Sequence, residues 1–365
     1  MRKKIVLIVT ALILALSACS LVACKNEGAG NETAKVIAVS AAEYKTADEA
    51  VLGYVENELA VYDYEELMYS AEFVSKESKG DADSEKLGLT EADKKDLAKA
   101  ELFGVTAKIE FADAETGYDA ETVTAAMEMY VLEYGEGKFA YAVPEAKIGE
   151  RVTNSEINKA FNSDTHSNCT ETRIIEGLNK DGATWKFASA SVTQYTATEQ
   201  MYVRYYDKTR FEAGAPDYTE NSSDYYRYEV TEGAKTYGTS SYNDSAYKTD
   251  ITVAESFKEH IALNIKNVVG YFGREKGLVK TATGAKTAVT FYEGVECEGE
   301  CVITITDGKL TQIMYCLTAD ETKDGQTEKV GLKETTKFDK FGSTAVTGAT
   351  EAKQKIDAYK AQHAE

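Results

Sequence analysis

Three Asp-Gly pairs, Asp181-Gly182, Asp307-Gly308 and Asp324-Gly325, each stand between runs in which apolar and polar residues alternate. Asp-Gly is the strongest short-range hairpin signal, because both residues tolerate the positive φ that a tight antiparallel turn demands. The pattern commits the C-terminal half to a sheet. Candidate strands run over 185–206, 225–237, 287–297, 301–306, 310–317 and 327–338. One helix interrupts them, starting at Thr252 or Glu255 and reaching Val269, with Phe257, Ile261, Ile265 and Val268 on one stripe. Residues 184–349 are therefore expected to form an antiparallel β-rich domain with one or two helices, and 350–365 a C-terminal helix or tail.

The N-terminal half reads differently. Thr46-Ala47-Asp48-Glu49 is a capping box, followed by Ala50, Val51, Tyr54, Val55, Leu59 and Tyr62 at helical spacing. Asp63-Tyr64-Glu65-Glu66 predicts a second helix carrying Leu67, Met68 and Ala71. Residues 75–86, rich in Ser, Lys, Asp and Glu, predict an exposed loop. Thr90-Glu91-Ala92-Asp93 predicts a helix to about Leu102. Alternation from Gly104 to Phe111, and the apolar-rich stretch 122–134 turning through Gly135-Glu136-Gly137-Lys138 into 139–143, predict strands. Helices first and a hairpin sheet after them make a small α+β domain over 46–150. The polar stretch 151–183, with Asn154, Asn162, Asn168 and Asn179, is the expected boundary. The overall fold class is α+β.

The chain has 365 residues, 43% of them hydrophobic and only two of them proline, which excludes disorder over most of its length. Its 41 basic and 61 acidic residues give a net charge of −20. Such a field repels phosphate backbones, so nucleic acid is excluded as a partner class. The charge is not evenly laid down: Met1-Arg2-Lys3-Lys4 is basic, and Ile5–Leu16 is an apolar run. Small residues follow it, in Ser17-Ala18-Cys19 and again in Ala23-Cys24. That is the layout of a signal peptide, too short for a comfortable membrane span.

Leu-Ser-Ala-Cys at 16–19 and Leu-Val-Ala-Cys at 21–24 both resemble the lipobox of bacterial lipoproteins. The resemblance implies cleavage before the cysteine, diacylation of its sulfur and a stable two-chain membrane anchor. Cys24 is the favoured lipid-attachment site over Cys19, because the chain turns polar at once after Cys24 and leaves four further cysteines, an even number. Residues 1–23 are then the signal peptide and 24–45 a flexible tether. The stretch TADEAVLGYVENELAVYDYEEL is similar to the first helices of NTF2-like domains of secreted lipoproteins. The later meander, ending in Phe338-Asp339-Lys340-Phe341-Gly342, resembles the LolA-like and LppX-like lipoprotein family. That resemblance implies a curved, half-open sheet around helices, enclosing an apolar cavity for acyl chains. The proline usual soon after the turn is replaced by Thr347-Gly348-Ala349.

Catalytic chemistry finds little to stand on. His166, His260 and His363 are far apart and fit no metal-ligand spacing, and there is no G-x-S-x-G elbow, Walker loop or dinucleotide fingerprint. Asp320-Glu321-Thr322-Lys323-Asp324-Gly325 begins like a calcium loop, but Gly331 stands where the bidentate glutamate belongs, so it reads as a hairpin tip. No enzyme, metal or cofactor is expected. Cys297 and Cys301 flank Glu298-Gly299-Glu300, a turn candidate that would set them about 5 Å apart and suit a disulfide. Cys169 and Cys316 are the remaining pair. Tyrosine is abundant, 24 in all with eleven between Tyr195 and Tyr247, and reads mainly as sheet packing, with a glycan or peptide surface as the other reading. The expected function is non-catalytic binding of a lipid or other apolar ligand at the extracytoplasmic face of the cell membrane; the alternative is a cell-envelope structural or protein-interaction module without a small ligand.

Overall fold

Antiparallel pairing organises most of the chain into two sheets, seen in a computed structural model that describes residues 34–59, 67–113, 121–161, 166–179, 182–219, 223–242, 245–257, 260, 277–292, 295–323 and 326–363. The first sheet has five strands: β1 (Val36–Val39), β2 (Leu67–Asp81), β3 (Leu97–Asp113), β4 (Glu121–Tyr134) and β5 (Lys138–Pro144), in the order β1-β5-β4-β3-β2. Helix α1 (Ala47–Tyr54) packs on it and continues as one π-helical turn, Val55–Leu59. Thr46 caps α1 by accepting from the Glu49 N–H, while the Glu49 carboxylate accepts from the Lys45 N–H. Ala50, Val51, Tyr54 and Val55 bury against Phe103, Val105, Met129, Val131, Tyr141 and Val143.

Several expectations give way here. β2 begins at Leu67, where a helix is predicted, and runs on to Asp81, into the first half of the stretch 75–86 expected as a loop. The helix predicted from Thr90 is a single turn, α2 (Glu91–Lys94), although both halves of its capping box form. Lys95 is already extended, Asp96 turns the chain at φ 60°, and β3 starts immediately. The expected tether contributes β1, which pairs with β5.

The second sheet has eleven strands. They are β6 (Cys169–Leu178), β7 (Trp185–Tyr195), β8 (Glu199–Tyr205), β9 (Tyr225–Glu232), β10 (Lys235–Ser240) and β11 (Tyr247–Thr249) on one side. β12 (Val279–Thr281), β13 (Gly284–Tyr292), β14 (Val295–Thr306), β15 (Lys309–Lys323) and β16 (Gln326–Asp339) form the other. Pairing of β6 with β16 joins the two runs, giving the order β11-β10-β9-β8-β7-β6-β16-β15-β14-β13-β12. The segment 151–183, expected as a boundary, thus supplies helix α3 (Asn154–Ala160) and a central strand. Helix α4 (Lys208–Ala213) lies after β8, helical backbone covers 253–257, and α5 (Thr350–Gln362) ends the chain. Asp307 and Gly308 take φ 51° and 72° between β14 and β15, the tight turn that their sequence predicts.

The cysteine expectations are corrected. Cys297 and Cys301 lie on one continuous strand, β14, about 13 Å apart by strand rise, so they cannot bridge. The chain turns instead between Tyr292 and Val295. Gly299 is a packing residue: a Cβ there would stand 2.1 Å from the Cys316 carbonyl oxygen of β15. Cys169 and Cys316 sit on β6 and β15 with β16 between them, offset by about seven residues of register. None of the four is in a disulfide, and Cys169 and Cys301 are buried. Burial pushes the Cys169 thiol up to about 12.

Candidate binding face

Alternation along the central strands divides the large sheet into two faces, which the ladder follows from strand to strand. On one, Cys169, Glu171 and Arg173 of β6 align with Tyr195, Thr193 and Ser191 of β7, and with Phe338 and Thr336 of β16. Beyond β16 the same face carries Ile313 and Tyr315 of β15, then Ile303 and Cys301 of β14, then Ala285 and Thr287 of β13. This end is covered. Ile157 and Ala160 of α3, Phe161 just after it and Phe257 pack on Ala285, Cys301, Ile303, Ile313 and Phe338, and Ile303 and Cys301 have no solvent exposure at all.

His166, expected in a polar loop, is fully buried among Phe161, Phe338 and Phe341, ring centroids 4.9–5.4 Å away, with Nε2 3.0 Å from the Leu310 carbonyl oxygen. His363 stacks on Tyr359 at the end of α5. Among the described residues no cluster of three or more His, Cys, Asp or Glu could hold a metal ion. Asp320 and Glu321 sit in the β15–β16 ladder opposite Lys329 and Glu328. Residues 1–33, with both lipobox cysteines, Cys19 and Cys24, lie outside the described residues.

A band of polar groups borders the covered end. Arg173 Nη2 donates to Glu334 Oε2 at 2.5 Å, and the Tyr315 hydroxyl donates to the same oxygen at 2.7 Å. The Tyr292 and Tyr315 hydroxyls are 3.4 Å apart. Burial and then the Glu334 charge raise the Tyr315 hydroxyl pKa well beyond the usual range. Beside it His260 Nε2 is 2.8 Å from Glu171 Oε2, and the Tyr195 hydroxyl donates weakly to that oxygen at 3.5 Å. The Glu171 contacts hold His260, which follows the helical backbone at 253–257, to the sheet.

That contact predicts a pH dependence. Burial pulls the His260 pKa down, but the Glu171 hydrogen bond and charge outweigh it, so the net shift is upward from 6.5. A pKa higher in the folded state means more protons bound when folded. The stabilisation is therefore complete below about pH 6.5 and lost as pH rises through the folded value. Thermal melts of the wild type and His260→Gln at pH 6 and 8.5 should show a difference that shrinks at the higher pH. A pH-independent difference would refute this assignment.

Further along the same face, among the described residues, the apolar cluster under α3 and Phe257 does not extend, although Ser189, Ser191 and Thr193 stay buried. Gln200, Tyr202 and Arg204 of β8 stand opposite Tyr195, Thr193 and Ser191, and Glu229, Arg227 and Tyr225 of β9 follow them. Glu229 is buried and neutralised: Arg227 Nη2 and the Tyr247 hydroxyl each donate to its Oε1 at 2.5 Å, and Gln200 donates to Oε2. Gly238 lets Tyr247 lie across β10, since a Cβ there would meet the Tyr247 ring at 2.3 Å. The opposite face is different in kind. Met201, Tyr226 and Tyr228 pack under Ala352 and Ile356 of α5, and Tyr205 meets Phe211 of α4.

Cross-strand geometry therefore sorts the tyrosines into a packing set and a set on the Arg204 face. It also places Arg173, Arg204 and Arg227, three of seven arginines in the sequence, on one face. Sequence reasoning missed them; the signal was a strand arginine next to or one residue from tyrosine, in Tyr202-Val203-Arg204-Tyr205 and Tyr226-Arg227-Tyr228. No protein-family model matches the chain, and no curated protein matches it.

Proposed function

We propose that this chain is a lipoprotein, anchored through a diacylated Cys24 to the extracytoplasmic face of the cell membrane, that works by non-catalytic binding. The finer reading of the fold is a small unit over 46–150 ahead of a LolA-like β-rich unit over 184–349. The separate five- and eleven-stranded sheets support the division, with β1 and β6 lying outside those bounds and joining the first and second sheet. What the binding unit presents follows from one observation, the contrast between the two halves of the Arg173 face. A lipid or other apolar ligand would have to part α3 and Phe257 from the sheet, because Ala285, Cys301 and Ile303 are already fully covered. The packing favours the second reading, an envelope interaction module whose working surface is the partly exposed arginine–tyrosine half.

The tether and the binding mode have separate tests. Replacing Cys24 by Ser should release the protein from membranes on cell fractionation, and replacing Cys19 should not; release by Cys19→Ser alone would overturn the assignment. Native mass spectrometry of the purified full chain should show no lipid beyond the anchor. A stoichiometric copurifying lipid would return the ligand to the apolar end.

A further inference from the structure

Arg204 is set apart from the other two arginines of its face. Arg173 is paired with Glu334 and Arg227 with Glu229. Arg204 lies against the Ser189 hydroxyl at 3.5 Å and over the Tyr206 ring at 4.9 Å, and among the described residues it meets no carboxylate. In a chain of net charge −20 this is an uncompensated cation. Ser191 stands directly between Arg204 and Arg173 in the ladder, so the two arginines flank a small hydroxyl about 10 Å apart at Cα. Ser189 and Ser191 are buried, so an oxyanion arriving here would meet the partly exposed guanidinium fork of Arg204 rather than these hydroxyls.

The surroundings name the rest of the ligand. Tyr202 and Tyr225 have ring centroids 5.6 Å apart, and Tyr225 and Tyr242 5.1 Å. This row of three rings ends in Tyr242, which is 67% exposed, with Tyr206, 42% exposed, on the other flank. Rigid aromatic rings with hydroxyl edges suit a ligand that has apolar ring faces and many hydroxyl groups. Sugar rings have both. The overall charge limits the anion: a densely charged polymer is repelled by the whole molecule, whereas isolated carboxylates can be met by one local cation.

We propose that the β7–β9 portion of this face binds an acidic glycan carrying sparse carboxylates, with Arg204 on a carboxylate and Tyr202, Tyr225 and Tyr242 along the sugar rings. The assignment rests on the binding-module reading and names its partner class.

The test is calorimetric titration of the purified full chain, in detergent micelles, with a hyaluronan octasaccharide, which carries a carboxylate on every second ring. Saturable binding is expected, weakened about tenfold or more by carboxyl reduction of the sugar or by Arg204→Gln, since each removes a charge-assisted contact. Arg204→Lys should keep part of the affinity, and Tyr242→Ala, at an exposed position, should lower it without altering the melting midpoint. Lys248→Gln, on the opposite face, should change nothing. No saturable binding, equal binding by Arg204→Gln, equal binding of the reduced sugar, or binding of the dense polyanion heparin alone would each overturn the proposal. Membrane release by Cys24→Ser with no glycan binding would sink the glycan and leave the tether standing.

Discussion

Ile303→Ala is expected to destabilise the full chain by about 3–4 kcal/mol, with a fall of about 8–15 °C in the thermal midpoint. Ile303 lies in the middle of β14, opposite Ala285 on one side and Ile313 on the other, with no exposed surface. Truncation removes buried methyl groups and leaves a cavity that strands fixed by ladders on both sides cannot collapse to fill. Val330→Ala, at a position 36% exposed on β16, should stay within about 0.5 kcal/mol. Circular-dichroism melts of the two variants make the comparison. The contrast also bears on function. If Ile303→Ala costs less than about 1 kcal/mol, the covered half is loosely packed, and an apolar ligand between α3 and the sheet becomes the better reading.

The second large effect is expected where the small sheet meets the large one. Glu58, on the π-helical turn after α1, is 8% exposed. Its carboxylate accepts from the Ser155 hydroxyl at 2.6 Å, the Ser155 N–H at 3.2 Å and the Tyr141 hydroxyl at 3.3 Å. Ser155 sits in the first turn of α3, where backbone N–H groups lack partners within the helix. Glu58→Ala leaves three donors without their acceptor and should cost about 2–3 kcal/mol. Glu58→Gln, which keeps an acceptor oxygen but not the charge, should cost about half as much. A double-mutant cycle with Ser155→Ala isolates the pair, and a coupling near zero would show that Glu58 acts only as filler.

How far the sequence was legible depends on whether a residue's neighbours are local. The Asp307-Gly308 turn forms as read, since its signal is contained in two residues. β2 was unreadable for the opposite reason. It is an edge strand, paired only with β3, and its stretch from Ala71 is mostly exposed, so no alternation marks it. The π-helical turn at 55–59 follows a helix that the capping box did announce. Gly299 was taken for a turn residue when its missing side chain admits the backbone of β15. Nothing near His166 in sequence reveals that Phe338 and Phe341 will enclose it. The candidate face was hidden for the same reason: Arg173, Ser191 and Arg204 become neighbours only through two ladders.

The pairing of β6 with β16 has a kinetic consequence. Cys169–Leu178 pairs on one side with the next strand in sequence, but on the other with residues more than 150 positions later. As the chain emerges N-terminus first, β6 through β11 can assemble early, while the free edge of β6 waits for β16, the last of the described strands. Closing so long a loop is slow, and an open central edge invites pairing with other chains. Completion of the sheet therefore waits on the arrival of β16. A chain truncated between β15 and β16 is expected to retain a folded N-terminal run and yet self-associate through that edge.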